Sequence, residues 1–153
     1  MVTGSDSGWR RSLVTAPSRF AEAINETSQP IDALVASTPI DLATLLGLLD
    51  RSKYRPPTLL YMHESQIGYP AGPKGGQAYR AMITDWNSIM SADKVVVATQ
   101  FHADLLLEHM PSFADDLVEG FGTKTRSVLE DLHVVPVGVE TSGLHPKVLS
   151  GPI

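Results

Sequence analysis

The run TLLYM, Thr58 to Met62, is apolar or strand-favouring and ends directly in His63 and Glu64. An imidazole at a strand end can donate to a sugar hydroxyl or a phosphate, or exchange a proton near neutral pH. A neighbouring carboxylate can orient that imidazole or accept from a hydroxyl. The segment that follows, QIGYPAGPKGGQ, is rich in glycine and proline. Gly72, Gly75 and Gly76 would let the backbone approach a ligand closely, and Lys74 would meet a phosphate. Against this stands a plainer account: a histidine bonded to a nearby carbonyl, a solvated glutamate and lysine, and a flexible loop. Position favours function, because side chains that bind and react concentrate on loops held by a rigid scaffold.

Other arrangements of reactive residues fail on spacing. HESQI begins like the zinc-protease helix motif, but Ile67 stands where the second histidine is needed, and the segment follows a strand. His102, His109, His133 and His145 show no ligand spacing and read as surface residues. The loop lacks the Gly-Lys-Ser/Thr order of a phosphate-binding P-loop, and no GxGxxG follows a strand. In GSDSG the serines Ser5 and Ser7 flank the central position rather than fill it, so there is no nucleophile elbow. No D-x-D pair occurs, which removes the usual metal–diphosphate clamp of one class of sugar transferases.

The elements that must position His63 follow from hydrophobic period and turn chemistry. Strands are expected at 31–36, 58–62, 94–98 and 133–137. Between them, Asp41 is a good N-cap for a helix whose face carries Leu42, Leu45, Leu46 and Leu49. Gly76 to Ser91 reads as a second helix, and Thr99 caps a third that runs through His109 with Phe101, Leu105 and Leu106 inward. Ser18 to Glu26 reads as a helix begun by Pro17, residues 1–17 as a ragged end, and Pro111 to Thr125 as irregular or partly helical. Strands alternating with helices at these intervals predict an α/β fold, a Rossmann-like parallel sheet with flanking helices. Ligands of such sheets bind beyond the carboxyl ends of the strands, where His63-Glu64, Thr99-Gln100 and Gly138–Glu140 fall.

The 153 residues suit one globular domain: 42% are hydrophobic, enough for a core. A rough division is 18–140 as the domain and 141–153 as a linker toward a further domain. The absence of cysteine excludes disulfides, thiolate metal sites and a cysteine nucleophile. A net charge of -5 leaves no electrostatic footprint for nucleic acid on this piece. No apolar run approaches the roughly 20 residues of a membrane span, and the N-terminus lacks the apolar core of a signal peptide. A cytoplasmic protein is expected.

With these residues in view, LLYMHESQIGYP resembles the YFHENQ…YP signature of the glycosyltransferase-like family that includes tRNA-queuosine mannosyltransferase. GWRRSLVTAPSRFAEAI is similar to that family's Trp-x-Trp-Arg segment, with Gly8 in place of its first tryptophan. IDALVASTPIDLATLLGLL resembles the next strand and helix, and NSIMSADKVVVATQFHADLLL the helix, strand and turn after that. VVPVGVE resembles the crossover to a second domain. The likeness runs from about residue 8 to 140. It implies the incomplete N-terminal, acceptor-side domain of a two-domain GT-B transferase that retains configuration and needs no metal. Donor and acceptor would be GDP-mannose and the queuosine of a tRNA. Carried onto this sequence, His63 would lie against the donor sugar with Glu64 beside it. Gln66 and Tyr69 fill the remaining positions of the box, and Ser37, Thr38 and Thr99 are strand-end hydroxyls of the same cleft. Ser65 replaces the asparagine of the signature.

Three readings compete. The first is a transferase domain inactive without its partner domain, which would carry the groups that grip the donor diphosphate. The second is a non-catalytic Rossmann-like binding module of the same fold. The third, an unrelated hydrolase, suffers from the missing elbow. An open sheet edge also allows a homodimer.

Overall fold

The computed structural model describes residues 6–138 apart from 51, 53, 54, 66 and 68–75. Helix α1 (Asp6–Glu26) leads into strand β1 (Leu34–Ser37), helix α2 (Leu42–Gly47), strand β2 (Thr58–Met62) and helix α3 (Gly76–Ser91). Strand β3 (Lys94–Val97), helices α4 (Gln100–Leu117) and α5 (Phe121–Leu129), and the short strand β4 (His133–Val134) complete the described chain. The four strands form one sheet in the order β1-β2-β3-β4, and every pair is parallel. This is the Rossmann-like α/β arrangement that the alternation of strands and helices predicts.

The strands alternate in burial as their period of two requires. Thr58, Leu60 and Met62 of β2 and Val95 and Val97 of β3 are buried on one face, with Leu42, Leu45, Ile89, Leu106, Met110 and Leu129 from the helices. The opposite face is covered less evenly. Val96 is buried there, Leu59 and Tyr61 are half-buried, and Val35 at the sheet edge is 69% exposed.

Polar side chains lock the elements where the backbone turns. Asp41 accepts from the Thr44 N–H at 2.9 Å and caps α2. Ser88 Oγ of α3 accepts from the Leu42 N–H at 3.1 Å and donates to the Ile40 carbonyl at 3.3 Å, which fixes the turn between β1 and α2 from behind. Asp93 Oδ2 accepts from the Thr58 N–H at 2.8 Å, joining the starts of β2 and β3. Asn25 reaches from the end of α1 to the end of α2, donating to the Leu48 carbonyl and accepting from the Asp50 N–H.

Several element boundaries differ from the sequence reading, among them the start of β1, at Leu34 rather than residue 31. The first helix starts at Asp6 rather than Ser18, so Pro17 lies inside it and is fully buried. Helix α4 runs through Pro111 to Leu117 instead of stopping at His109, and a separate helix follows at Phe121. In both cases burial of the proline ring against the core outweighs the hydrogen bond it removes. The fourth strand keeps only two ladder residues of the five expected. The elements around His63 match: β2, α3 and the Thr99 cap stand where they were placed.

Candidate functional site at the carboxyl ends of the strands

Parallel register puts the ends of β1 and β2 side by side, with Ser37 opposite Tyr61. His63 is the next residue but one, and it leaves the sheet exposed. Its Nδ1 lies 3.2 Å from Ser37 Oγ, and its backbone N–H donates to Thr38 Oγ1 at 3.3 Å. Thr38 is 4% exposed, and its own N–H donates to the Tyr61 carbonyl at 3.2 Å. The ladder between β1 and β2 thus continues for one more step through side chains. Nδ1 is engaged with Ser37 on an exposed residue, so Nε2 is the ring nitrogen that this contact leaves for a ligand. The Thr38–Pro39 peptide at this corner is cis.

Tyr61 packs beside His63 with ring centroids 6.3 Å apart, and its hydroxyl donates to the Val135 carbonyl at 3.1 Å. That bond crosses under β3 and ties β2 to the chain leaving β4. At the end of β3, Thr99 Oγ1 accepts from the His102 N–H at 3.1 Å and caps α4. Thr99 is therefore committed to the helix as well as lying at the ligand end of the sheet. Glu64 is exposed. Gln66, Tyr69 and Lys74 lie outside the described residues.

Two residues that the sequence did not assign to the site, Ser65 and His102, belong to this region. Ser65 is 8% exposed; its hydroxyl donates to Asp85 Oδ2 of α3 at 2.8 Å and accepts from the Ile67 N–H at 3.3 Å. It pins the chain immediately after His63 and Glu64 to α3. His102, expected at the surface, is 9% exposed. Its helical neighbours correct the phase: Ala103, Leu106, Met110 and Ala114 are the buried face, while Phe101, expected inward, is 74% exposed. Burial holds the His102 imidazole below its ordinary pKa; the Met62 carbonyl against the ring opposes this and the nearby His63 adds to it. His102 Nε2 is buried without a hydrogen-bond partner.

Two cavities formed by described residues lie away from His63. One of about 840 Å³ sits between the end of α1 and the loop after α2, lined by Asn25, Thr27, Asp50 and Arg55. An apolar groove of about 730 Å³ runs between α1 and β1 and reaches Ser37 at its end. Neither includes His63. Among the described residues no group of three acidic or histidine side chains could hold a metal ion.

The family model for the N-terminal region of tRNA-queuosine alpha-mannosyltransferase matches residues 1–139. The chain belongs to this family. The match spans α1 to the end of β4 and includes the His63 box, Ser37, Thr38 and Thr99. No curated protein and no solved structure matches the chain. Among the described residues no helix is long and apolar enough to cross a membrane.

Proposed function

We propose that this chain is the acceptor-side domain of a GT-B glycosyltransferase that moves mannose from GDP-mannose to a hydroxyl of queuosine in tRNA, without a metal, in the cytoplasm. The observation that carries the reading is the corner at the ends of β1 and β2. There His63, which fills the histidine position of the signature that the sequence resembles, is exposed and held by Ser37 and Thr38 through Nδ1 and its backbone N–H. An imidazole so fixed can donate to a hydroxyl of the donor sugar and stay in place as the glycosidic bond breaks. Glu64, exposed beside it, is suited to accept from a sugar or acceptor hydroxyl. Gln66 and Tyr69, the other polar residues of the signature, and Lys74 of the loop after it are assigned to contacts with donor or acceptor, Lys74 to a phosphate. Ser37 acts on the ligand through His63, because its hydroxyl is engaged with that ring.

The test is His63→Ala in the complete transferase, assayed by transfer of labelled mannose to queuosine-bearing tRNA. Loss of a positioned imidazole lowers turnover by about 100-fold or more. The fold of the variant, followed by amide spectra of the present chain, stays native because His63 is exposed. Turnover equal to wild type would sink the assignment and leave the chain as a non-catalytic binding module.

A further inference from the structure

The peptide unit between Met62 and His63 is the last piece of β2 before the His63 side chain leaves the sheet. Its two polar groups point to different elements. On the β1 side its N–H donates to Thr38 Oγ1 at 3.3 Å. On the β3 side its carbonyl accepts from the Ala98 N–H at 3.3 Å. Each bond is long for its kind, so neither fixes the plane of the unit tightly by itself. A further contact reaches the same carbonyl from α4. His102 is 9% exposed, its own N–H is fixed on Thr99 Oγ1 at 3.1 Å, and its ring donates to the Met62 carbonyl. Nε2 is the ring nitrogen without a partner, so the donor is Nδ1. The neutral ring then carries its proton on Nδ1 and a bare lone pair on Nε2. Packing alone does not ask for this. A leucine here, in line with the buried Ala103, Leu106 and Met110, would fill the space with no polar atom left over. What the imidazole adds is one N–H aimed at the carbonyl directly ahead of His63.

We propose that His102 is a positioning residue for His63. Thr38 from β1 and His102 from α4 grip the N–H and the C=O of one peptide unit from opposite sides, and the far corner of that unit is the Cα of His63. A tilt of the unit swings the His63 side chain, so the pair sets the direction in which that ring leaves the sheet. Ser37 then holds the ring itself through Nδ1. A displacement of roughly 1 Å at a reacting group can cost on the order of 100-fold in rate, so a grip on the backbone bears directly on turnover. His102 itself touches neither donor nor acceptor; it acts through the backbone of His63. Its effect on turnover rests on the transfer reaction proposed for His63, whereas the grip on the peptide unit stands without it.

The first measurement is NMR of this chain with nitrogen-labelled histidine, near neutral pH. Couplings between the ring nitrogens and the carbon-bound ring protons identify the tautomer. His102 should carry its proton on Nδ1, whereas a solvated neutral imidazole favours Nε2. His102→Leu should lower the protection of the His63 amide against hydrogen exchange several-fold, while the urea midpoint is unchanged or higher. In the complete transferase the same variant should lower kcat about 10- to 100-fold and leave KM for donor and tRNA within about twofold. His102→Asn places an amide nitrogen where Nδ1 stood and should restore most of the loss. A His102 proton on Nε2, an unchanged His63 amide and kcat in His102→Leu, or an asparagine variant no better than the leucine one overturns the proposal. If a variant fails to fold, the tautomer of the wild-type ring decides by itself. If His63→Ala leaves transfer intact while the tautomer and the His63 amide behave as stated, the reaction assigned above falls and the grip on the peptide unit remains.

Discussion

Replacing Ser65 by alanine removes one oxygen atom and tests how the chain after His63 is held. The lost hydroxyl donates to Asp85 and accepts from Ile67. A hydrogen bond to a carboxylate contributes about 1.5–3 kcal/mol, and the longer bond from the Ile67 N–H about 0.5–1 kcal/mol. Both groups lie in buried surroundings, with Ser65 8% and Ile67 3% exposed, so water does not freely replace the hydroxyl. Some relaxation of the loop offsets part of the loss, and we expect a net cost of about 2–3 kcal/mol. Urea unfolding followed by the fluorescence of the buried Trp86 gives the global figure, with the slope unchanged. Hydrogen exchange at the Ile67 amide separates a local opening from global destabilisation. A change below about 0.5 kcal/mol with unaltered Ile67 protection would refute the reasoning, because surface serines behave that way and pinned buried ones do not.

Two further outcomes follow from the packing. Gly122→Ala would place a methyl group 2.8 Å from the Pro111 carbonyl oxygen and 2.5 Å from Asp115 Oδ2. The corner between α4 and α5 must then shift, at a cost of about 1–3 kcal/mol in chemical unfolding. His102 makes stability depend on pH: its folded pKa lies below the ordinary 6.5, so the unfolded chain binds more protons as the pH falls. Its contribution is complete above 6.5 and is lost as the pH falls from there through the folded value. His102→Leu should remove that part of the slope between neutral and mildly acid pH, measured by urea unfolding at a series of pH values.

The parts of this fold that were legible are those with strong local signals. Lys94–Val97 is β-branched and short, and Asp41 and Thr99 stand directly before leucine- and phenylalanine-bearing helical runs, so strand and caps were clear. The parallel sheet then followed from alternation alone, and with it the position of His63 beyond a strand. Pro17 and Pro111 misled because a proline in sequence announces only its cost; its burial depends on residues elsewhere in the chain. For α4 the leucine pattern admits two phases one residue apart, and Phe101 looks more apolar than His102. The structure buries the histidine and exposes the phenylalanine, a choice made at the strand ends rather than in the helix. Ser65 and its bond to Asp85 had no local signature, since a serine in a loop reads the same whether it is solvated or anchored. The pairing of His63 with Ser37 and Thr38 depends on the register of two strands, which residue types alone do not reveal.

The order of the strands in the sheet is also their order in the sequence. Each strand is added beside the one made before it, after a single helical crossover or, before β4, a pair of helices. Among the described strands none waits for a later one to fill a gap. On a ribosome that releases the chain from its N-terminal side, α1, β1 and α2 emerge before β2, which then meets a partner already in place. The corner that holds His63 against Ser37 and Thr38 uses only residues up to 63. It can therefore be assembled before α3 is synthesised, and α3 then fastens it from behind through Ser88 and Asp85. Growth by neighbouring addition keeps contacts short in sequence and folding fast for a parallel sheet.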